Sequence, residues 1–426
     1  MSSIIDQAKK AKKASYTMFS MSSETKKKAL LSIAEALDNR KAAIFEANAR
    51  DMALAQQTNL AMPLQKRLLF DESKLLTVCE GLVQLSGLED PVGKKLLATE
   101  MDDGLSLYRI SCPIGVIGII FESRPDALVQ IASLCLKTGN AVFLKGGSEA
   151  AHTNRILAQI ITDAAISSGL PEGFLTLLES REEVTSMLAL SDYIDLIIPR
   201  GSNAFVRYIM DHSDIPVLGH ADGVCHLYIH EKADTDMALS IAVDSKTQYV
   251  AVCNTAETLL VDASVADTVL PRIAEALKQK GVTLFGCEKS AKLLSIPVVS
   301  EWHHEYLDYQ MSVKIVDGID EAIDHINQFG SGHTDAIVTS DKSVAEKFMN
   351  DVDSGNVFWN CSTRFSDGFK YGFGAEVGVS TSKIHARGPV GLEGMVTYKY
   401  KLFGSGQIVD DYASGRKTFK HRPITD

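Results

Sequence analysis

Cys253 is a candidate for covalent chemistry. It stands in "YVAVCNTAETLLV", directly before an apolar segment of strand character, with Asn254 and Thr255 between them. A thiol attacks carbon as its thiolate, whereas a cysteine in apolar surroundings is only a small hydrophobe. Composition alone makes none of the seven cysteines a nucleophile. Position favours Cys253, which lies in a polar loop at a candidate junction of two α/β domains, where clefts commonly hold active sites. Cys361, with no basic neighbour nearer than Arg364, reads as structural.

Two other stretches suit anions. "LKGGSEAAHTN" joins a strand to a helix through Gly146 and Gly147, so backbone and helix N–H groups can approach a phosphate beside Lys145. A tight turn would require glycines there anyway, and "PRGSNAF" around Gly201 carries the same ambiguity. Neither is GxGxxG; the architecture, not a fingerprint, makes a nucleotide site plausible. "WNCSTRFSDGFKYGFGAEVGVSTSKIHARGPVGLEG" is long, irregular and rich in glycine and hydroxyls. Such stretches are more often functional than idle. Its Arg364 and Arg387 suit a two-pronged grip on carboxylate or phosphate, or else structural ion pairs. In "HADGVCHLYIH", His226 and His230 share a strand face near His220 and Cys225, but a metal would need further ligands. These histidines are expected to be satisfied structurally, and no metal is expected.

The elements that must position these residues alternate. Residues 1 to about 70 read as helices, with Leu30, Ile33 and Leu37 at helical spacing. Four strand-turn-helix units follow, opening at "GVIGIIF", "NAVFLK", "GFLTLL" and "YIDLIIP", a pattern that predicts a parallel sheet covered by helices. A helical pattern over 265–280 and further alternation through "MSVKIV", "TDAIVTS" and "GNVFWN" predict a second α/β domain, the boundary falling near "IPVLGHADG". After Tyr398 the chain shows no clear core face and reads as a tail or an intersubunit arm.

At 426 residues and 45% apolar content the chain can bury large cores without disulfides. A net charge of −11 argues against a nucleic-acid footprint. Any anionic substrate must therefore meet a few local donors. No CxxC pair, leader-like h-region or membrane span is present, which points to a reducing, cytoplasmic setting.

"GAEVGVSTSKIHARGPVGLEGMVTYKY" closely resembles the C-terminal hallmark of the γ-glutamyl phosphate reductases, NADPH-dependent members of the aldehyde dehydrogenase superfamily that serve proline biosynthesis. "FESRPDALVQIASLCLKTGNAVFLKGG", "IDLIIPRGSN", "CNTAETLLV" and "HINQFGSGHTDAIVTSD" are similar to the same family, in the same order, over nearly the whole chain. The resemblance implies an aldehyde dehydrogenase-like α/β fold. Residues 1–220 would form a Rossmann-like NADPH-binding domain with a bridging segment near 97–112. Residues 221–390 would form the catalytic domain and 391–426 an oligomerisation arm.

It further implies that the Cys253 thiolate attacks L-glutamyl 5-phosphate, expels phosphate and leaves a thioester, which NADPH reduces to L-glutamate 5-semialdehyde. The oxyanion donors implied are the Cys253 backbone N–H with Asn254 or Ser123. Lys145 falls on the ribose-binding lysine, Ser148 on a position where NAD-using relatives carry a glutamate, although Glu149 is adjacent. Gly201 and Ser202 fall on the turn against the pyrophosphate, and Glu305 on the nicotinamide-ribose carboxylate. Arg364, His385 and Arg387 are expected to recognise substrate. The water-activating glutamate of hydrolytic relatives is replaced by Val217, which suits phosphate as the partner nucleophile. A homo-oligomer and a glutamate 5-kinase are the expected partners, with no nucleic acid or membrane. The alternatives are a reductase of another acyl phosphate and a non-catalytic kinase-binding relative.

Overall fold

The computed structural model describes residues 3–424 apart from Ser123. Its first helices follow the amphipathic pattern. Ser3 and Ser22 cap Ile4–Met18 and Ser23–Asn39 by accepting the N–H groups of Asp6 and Thr25. Leu30, Ile33 and Leu37 are fully buried on one stripe. Helices Lys41–Gln57, Met62–Leu68 and Glu72–Gly87 follow.

The chain divides into two compact units. The first runs through Gly201, takes in Tyr208–Val217 and includes the segment from Gly391 onward; the second is Ser202–Arg207 with Leu218–Val390. In the first, four parallel strands lie in the order Leu175–Leu178, Ala141–Lys145, Val116–Ile120, Leu196–Pro199. These are the four strands the sequence pattern predicts. The residues of Ala141–Lys145 are all buried, as a central parallel strand requires. Val217, outside these strands, makes an isolated parallel bridge to Ile197.

The same unit contains an antiparallel sheet ordered Val396–Phe403, Leu105–Pro113, Lys95–Asp102, Arg422–Pro423. The stretch after Tyr398 is thus partly a strand. It lacks a core face because Tyr398, Tyr400, Leu402 and Phe403 are exposed.

The second unit holds six parallel strands in the order Asn356–Trp359, Thr334–Val338, Cys225–Ile229, Ala256–Asp262, Gln310–Val316, Thr283–Gly286. Leu227, Ile229, Leu259 and Val261 pack one face, with Leu270 and Ile273 of helix Ala266–Gln279 in the same cluster. Tyr228 and Leu260 pack the other with Phe348 of helix Lys342–Asp351. This alternation is the period-two signature of strands covered on both faces. Among the described residues no helix is long and apolar enough to cross a membrane.

Candidate active site

Three neighbouring strands of the second unit are each entered just after a residue capable of chemistry. His220 lies five residues before Cys225–Ile229, Cys253 three before Ala256–Asp262, and His333 one before Thr334–Val338. Strand order sets those three entries side by side at the amino edge of the sheet.

The loop bearing Cys253 is fixed on several sides. Thr255 Oγ1 donates to the Tyr249 carbonyl at 2.7 Å and its N–H to that of Val252 at 3.1 Å. Asn254 Nδ2 donates to the Ser366 carbonyl at 2.7 Å, and Cys225 Sγ to that of Cys253 at 3.1 Å. Gly223 lies so close that a Cβ there would come within 2.1 Å of the Cys253 carbonyl oxygen and 2.5 Å of its Cα. Behind the loop, Lys246 and Glu257 form an ion pair at 2.6 Å with both side chains fully buried. One ends the helix before the loop and the other opens the strand after it. Burial pushes the Glu257 carboxyl up to about 7, against the opposing pull of Lys246. Burial likewise lowers Lys246, Glu257 opposing. The Cys253 side of the loop is only partly buried.

One ring nitrogen of His220, one of His333 and Cys253 Sγ all lie within 4.8 Å of one another. His220 Nδ1 is 2.9 Å from the Val379 carbonyl, which can only accept, so Nδ1 carries the proton and Nε2 the lone pair. His333 is fully buried, with Nδ1 at 2.8 Å from Thr334 Oγ1 and Nε2 lacking a hydrogen-bond partner among the described residues. The two rings meet edge to face at 4.9 Å. His333 was not singled out from the sequence; its signal was its place in "SGHTDAIV", immediately ahead of a strand.

The other histidines separate from this group. His226 pairs with Asp335 at 2.9 Å in full burial, and His230 meets Thr339 Oγ1 at 3.0 Å. Each is tied to its own partner, as a structural reading requires, although His226 Nε2 has no hydrogen-bond partner among the described residues. Cys225, whose thiol is raised by burial, braces the Cys253 backbone through its carbonyl.

The expected substrate residues diverge. Arg364 is held by Gln248 at 3.0 Å, and burial lowers its pKa while nearby Cys253, Asp367 and Asp244 oppose that shift. It is therefore within electrostatic reach of the thiol. Arg387 instead binds Asp353 twice, at 2.9 Å to Oδ1 and 3.0 Å to the carbonyl, the structural ion pair weighed against a substrate clamp. His385 is exposed. Asn254 already commits one amide hydrogen to Ser366 and is buried, and Ser123 lies outside the described residues.

The expected cofactor residues of the first unit cluster where Ala141–Lys145 ends. Lys145 is buried and its ammonium donates to the Gly146 carbonyl; Gly147 is half-buried and Ser148 exposed. A Cβ on Gly147 would collide with the Glu149 carboxylate, 2.0 Å from Oε1. The expectation of free N–H donors at the following helix is corrected. The N–H groups of His152 and Thr153 both donate to buried Asp51, at 3.1 and 2.8 Å. Gly201 and Ser202 are exposed just before helix Asn203–His212, and Asn203 Nδ2 donates to Glu305 Oε2 at 2.5 Å.

The second unit thus presents a fixed, partly open thiol flanked by imidazoles on a parallel α/β sheet. The family model for the aldehyde dehydrogenase family matches residues 1–284 and 310–400. The chain is 61% identical over 424 residues, 99% of its length and 98% of the relative's, to the gamma-glutamyl phosphate reductase of Acetivibrio thermocellus. It is 61% identical over 410 residues, 96% and 95% of the two lengths, to that of Ruminiclostridium cellulolyticum. The crystal structure of the gamma-glutamyl phosphate reductase of Thermotoga maritima superposes with a TM-score of 0.93 at 37% identity, covering 96% of this chain and all of that one. The chain belongs to the aldehyde dehydrogenase family and, within it, to the γ-glutamyl phosphate reductases.

Proposed function

We propose that the chain reduces L-glutamyl 5-phosphate to L-glutamate 5-semialdehyde and phosphate, the reductive step of proline biosynthesis, through a thioester on Cys253. The observation that carries the mechanism is the half-buried thiol on a loop braced by Gly223, Cys225, Ser366 and the Lys246–Glu257 pair. Fixing a nucleophile this way lowers the entropy lost on reaching the reacting geometry. Cys253 attacks the acyl carbon and phosphate departs. The tetrahedral oxyanion is met by the Cys253 backbone N–H, with the remaining amide hydrogen of Asn254 or Ser123 as second donor. Arg364 supplies positive charge beside the thiol, favouring an anionic substrate on a chain of net charge −11. His385 adds to recognition. Arg387, tied to Asp353, shapes the segment rather than gripping substrate.

The family implies a nicotinamide cofactor, and the residues fit one. Gly146 and Gly147 give bare backbone beside buried Lys145, Ser148 presents an exposed hydroxyl, and Gly201, Ser202 and Glu305 complete the set. We assign NADPH, because Ser148 carries no charge to repel a 2′-phosphate; when bound it supplies the hydride. Val217 cannot activate water, which preserves the thioester. A glutamate 5-kinase is the matching supplier of so labile a substrate. The exposed apolar strand Val396–Phe403 suits self-association, and the free cysteines among the described residues suit a cytoplasmic setting.

The test is NADP⁺ reduction with glutamate semialdehyde in the presence and absence of phosphate. Phosphate-dependent turnover that disappears in Cys253→Ser is expected. Turnover that needs no phosphate, or that survives the substitution, refutes the proposal.

A further inference from the structure

We propose that His220, Cys253 and His333 form a three-ligand site for a soft or borderline divalent ion, zinc foremost, whose occupation switches the nucleophile off. The three donor atoms already lie within 4.8 Å of one another. A tetrahedral zinc site with bonds of about 2.0–2.3 Å needs them only about 1 Å closer, and two of the three side chains are partly exposed.

The surroundings of the imidazoles are what separate this cluster from a chance grouping. A metal-binding histidine typically donates its other N–H to a carbonyl or similar acceptor, which fixes the tautomer and leaves a lone pair for the ion. His220 does this through Nδ1 to the Val379 carbonyl at 2.9 Å. His333 has Nδ1 at 2.8 Å from the Thr334 hydroxyl, and its Nε2 is buried without a hydrogen-bond partner among the described residues; His226 and His325 share that feature, but only His333 has it beside a thiol and a second imidazole. A fully buried imidazole nitrogen left unpaired is costly unless something occupies it.

The donor set also selects the ion. Two imidazoles and a thiolate suit zinc or cadmium, whereas magnesium and calcium require oxygen ligands that this set lacks. Binding converts Cys–SH and Zn²⁺ into a Cys–S–Zn bond and one released proton. The sulfur lone pair then lies in that bond and cannot attack an acyl carbon. Arg364 opposes a cation by charge, while the thiolate attracts it; Cys225 also lies near the thiol, with Glu257 and Lys246 behind the loop, and Asp335 acts on Cys225 as Asp367 and Asp244 act on Arg364. The metal site stands on its own geometry; only the loss of turnover rests on the function proposed above.

The test is equilibrium dialysis of the full chain against zinc chloride, and near-ultraviolet absorption of the cobalt(II) adduct. Expected are one zinc per chain and a thiolate-to-cobalt charge-transfer band that vanishes in Cys253→Ser. Zinc affinity should fall at least tenfold in His220→Ala and in His333→Gln, ligand loss costing no less than the outer-shell changes that already cost 10–100-fold. Phosphate-dependent turnover should fall in step with occupancy and return on adding EDTA. Equal zinc affinity in wild type, His220→Ala and Cys253→Ser, or a cobalt adduct without the thiolate band, overturns the site. Should His333→Gln fail to fold, the partly exposed His220 and Cys253 variants decide. Stoichiometric zinc on a chain that turns over no glutamate semialdehyde would leave the site standing and sink the functional proposal instead.

Discussion

A single methyl group at position 223 tests how tightly the Cys253 loop is held. The Gly223→Ala Cβ would press on the carbonyl oxygen, Cα and carbonyl carbon of Cys253, backbone atoms that cannot swing aside. Overpacking of this kind costs about 1–3 kcal/mol, and relief requires shifting the loop. Turnover is therefore expected to fall at least tenfold, beyond what the stability loss in a urea titration explains; unchanged kcat would show that the loop tolerates the shift. Ser148→Glu should raise KM for NADPH more than for NADH, since a carboxylate there repels a 2′-phosphate; an unchanged ratio in initial-rate assays means that the phosphate is read elsewhere. At this scale the sequence pointed to Cys253 as a candidate because a polar loop before an apolar run is a local pattern. His333 shares that pattern in "SGHTDAIV", but a lone imidazole there carries no further signal. It is one residue outside a strand, and its relation to His220 and Cys253 exists only once three strands are ordered side by side. Arg387 misled for the same reason: Asp353, which binds it, is near in space and unsignalled in the chain.

Helix Ala151–Ser167 shows what element-level reading does and does not reach. Its period and the preceding strand and glycine pair were legible, because burial imposes repeats of 3.6 and 2 on a sequence. The edge strand Thr283–Gly286 was not: it is only partly buried, whereas the equally short Leu196–Pro199 is buried throughout and reads as an apolar run. The state of the helix start was also hidden. Asp51, from helix Lys41–Gln57, accepts from the N–H groups of His152 and Thr153, from Thr153 Oγ1 at 2.6 Å, and meets His152 Nδ1 at 2.7 Å. This carboxylate takes the place at the helix N-terminus that a phosphate was expected to fill. Asp51→Ala strips a buried cluster of its acceptor and should cost about 2–4 kcal/mol in denaturant unfolding, since each unsatisfied group costs about 1–3 kcal/mol. The turn Lys145–Ala150 loses its anchor with it, so KM for NADPH should rise while the pH profile of Cys253 alkylation stays put. An alkylation profile that moves would place Asp51 in contact with the thiol's chemistry instead.

On the scale of the whole molecule, stability should carry the signature of the ion pair that closes the Cys253 loop. Glu257 in the folded chain is raised from 4.5 to about 7 by burial, Lys246 opposing. Between those values the folded chain keeps a proton that the unfolded chain has released. Raising the pH through that window therefore withdraws stability, and above it Glu257 adds no further slope. Lys246 is lowered from 10.5 by burial, so the folded chain gives up that proton first, and rising pH through the window below 10.5 restores stability. Removing one partner of a buried pair costs about 3–5 kcal/mol, whereas replacing both by apolar groups of similar volume is often near neutral. Glu257→Gln should therefore be strongly destabilised, with its deficit to wild type shrinking as the pH rises from 5 to 7. Left without its counter-ion, Lys246 sheds its proton more readily still, which moves the difference the same way. The double variant Lys246→Met with Glu257→Leu should recover most of the loss and show neither slope. Urea unfolding at pH 5, 6 and 7 reads all three chains. Parallel curves for wild type and Glu257→Gln would mean that the pair stays ionised throughout, and that the loop is held by charge alone.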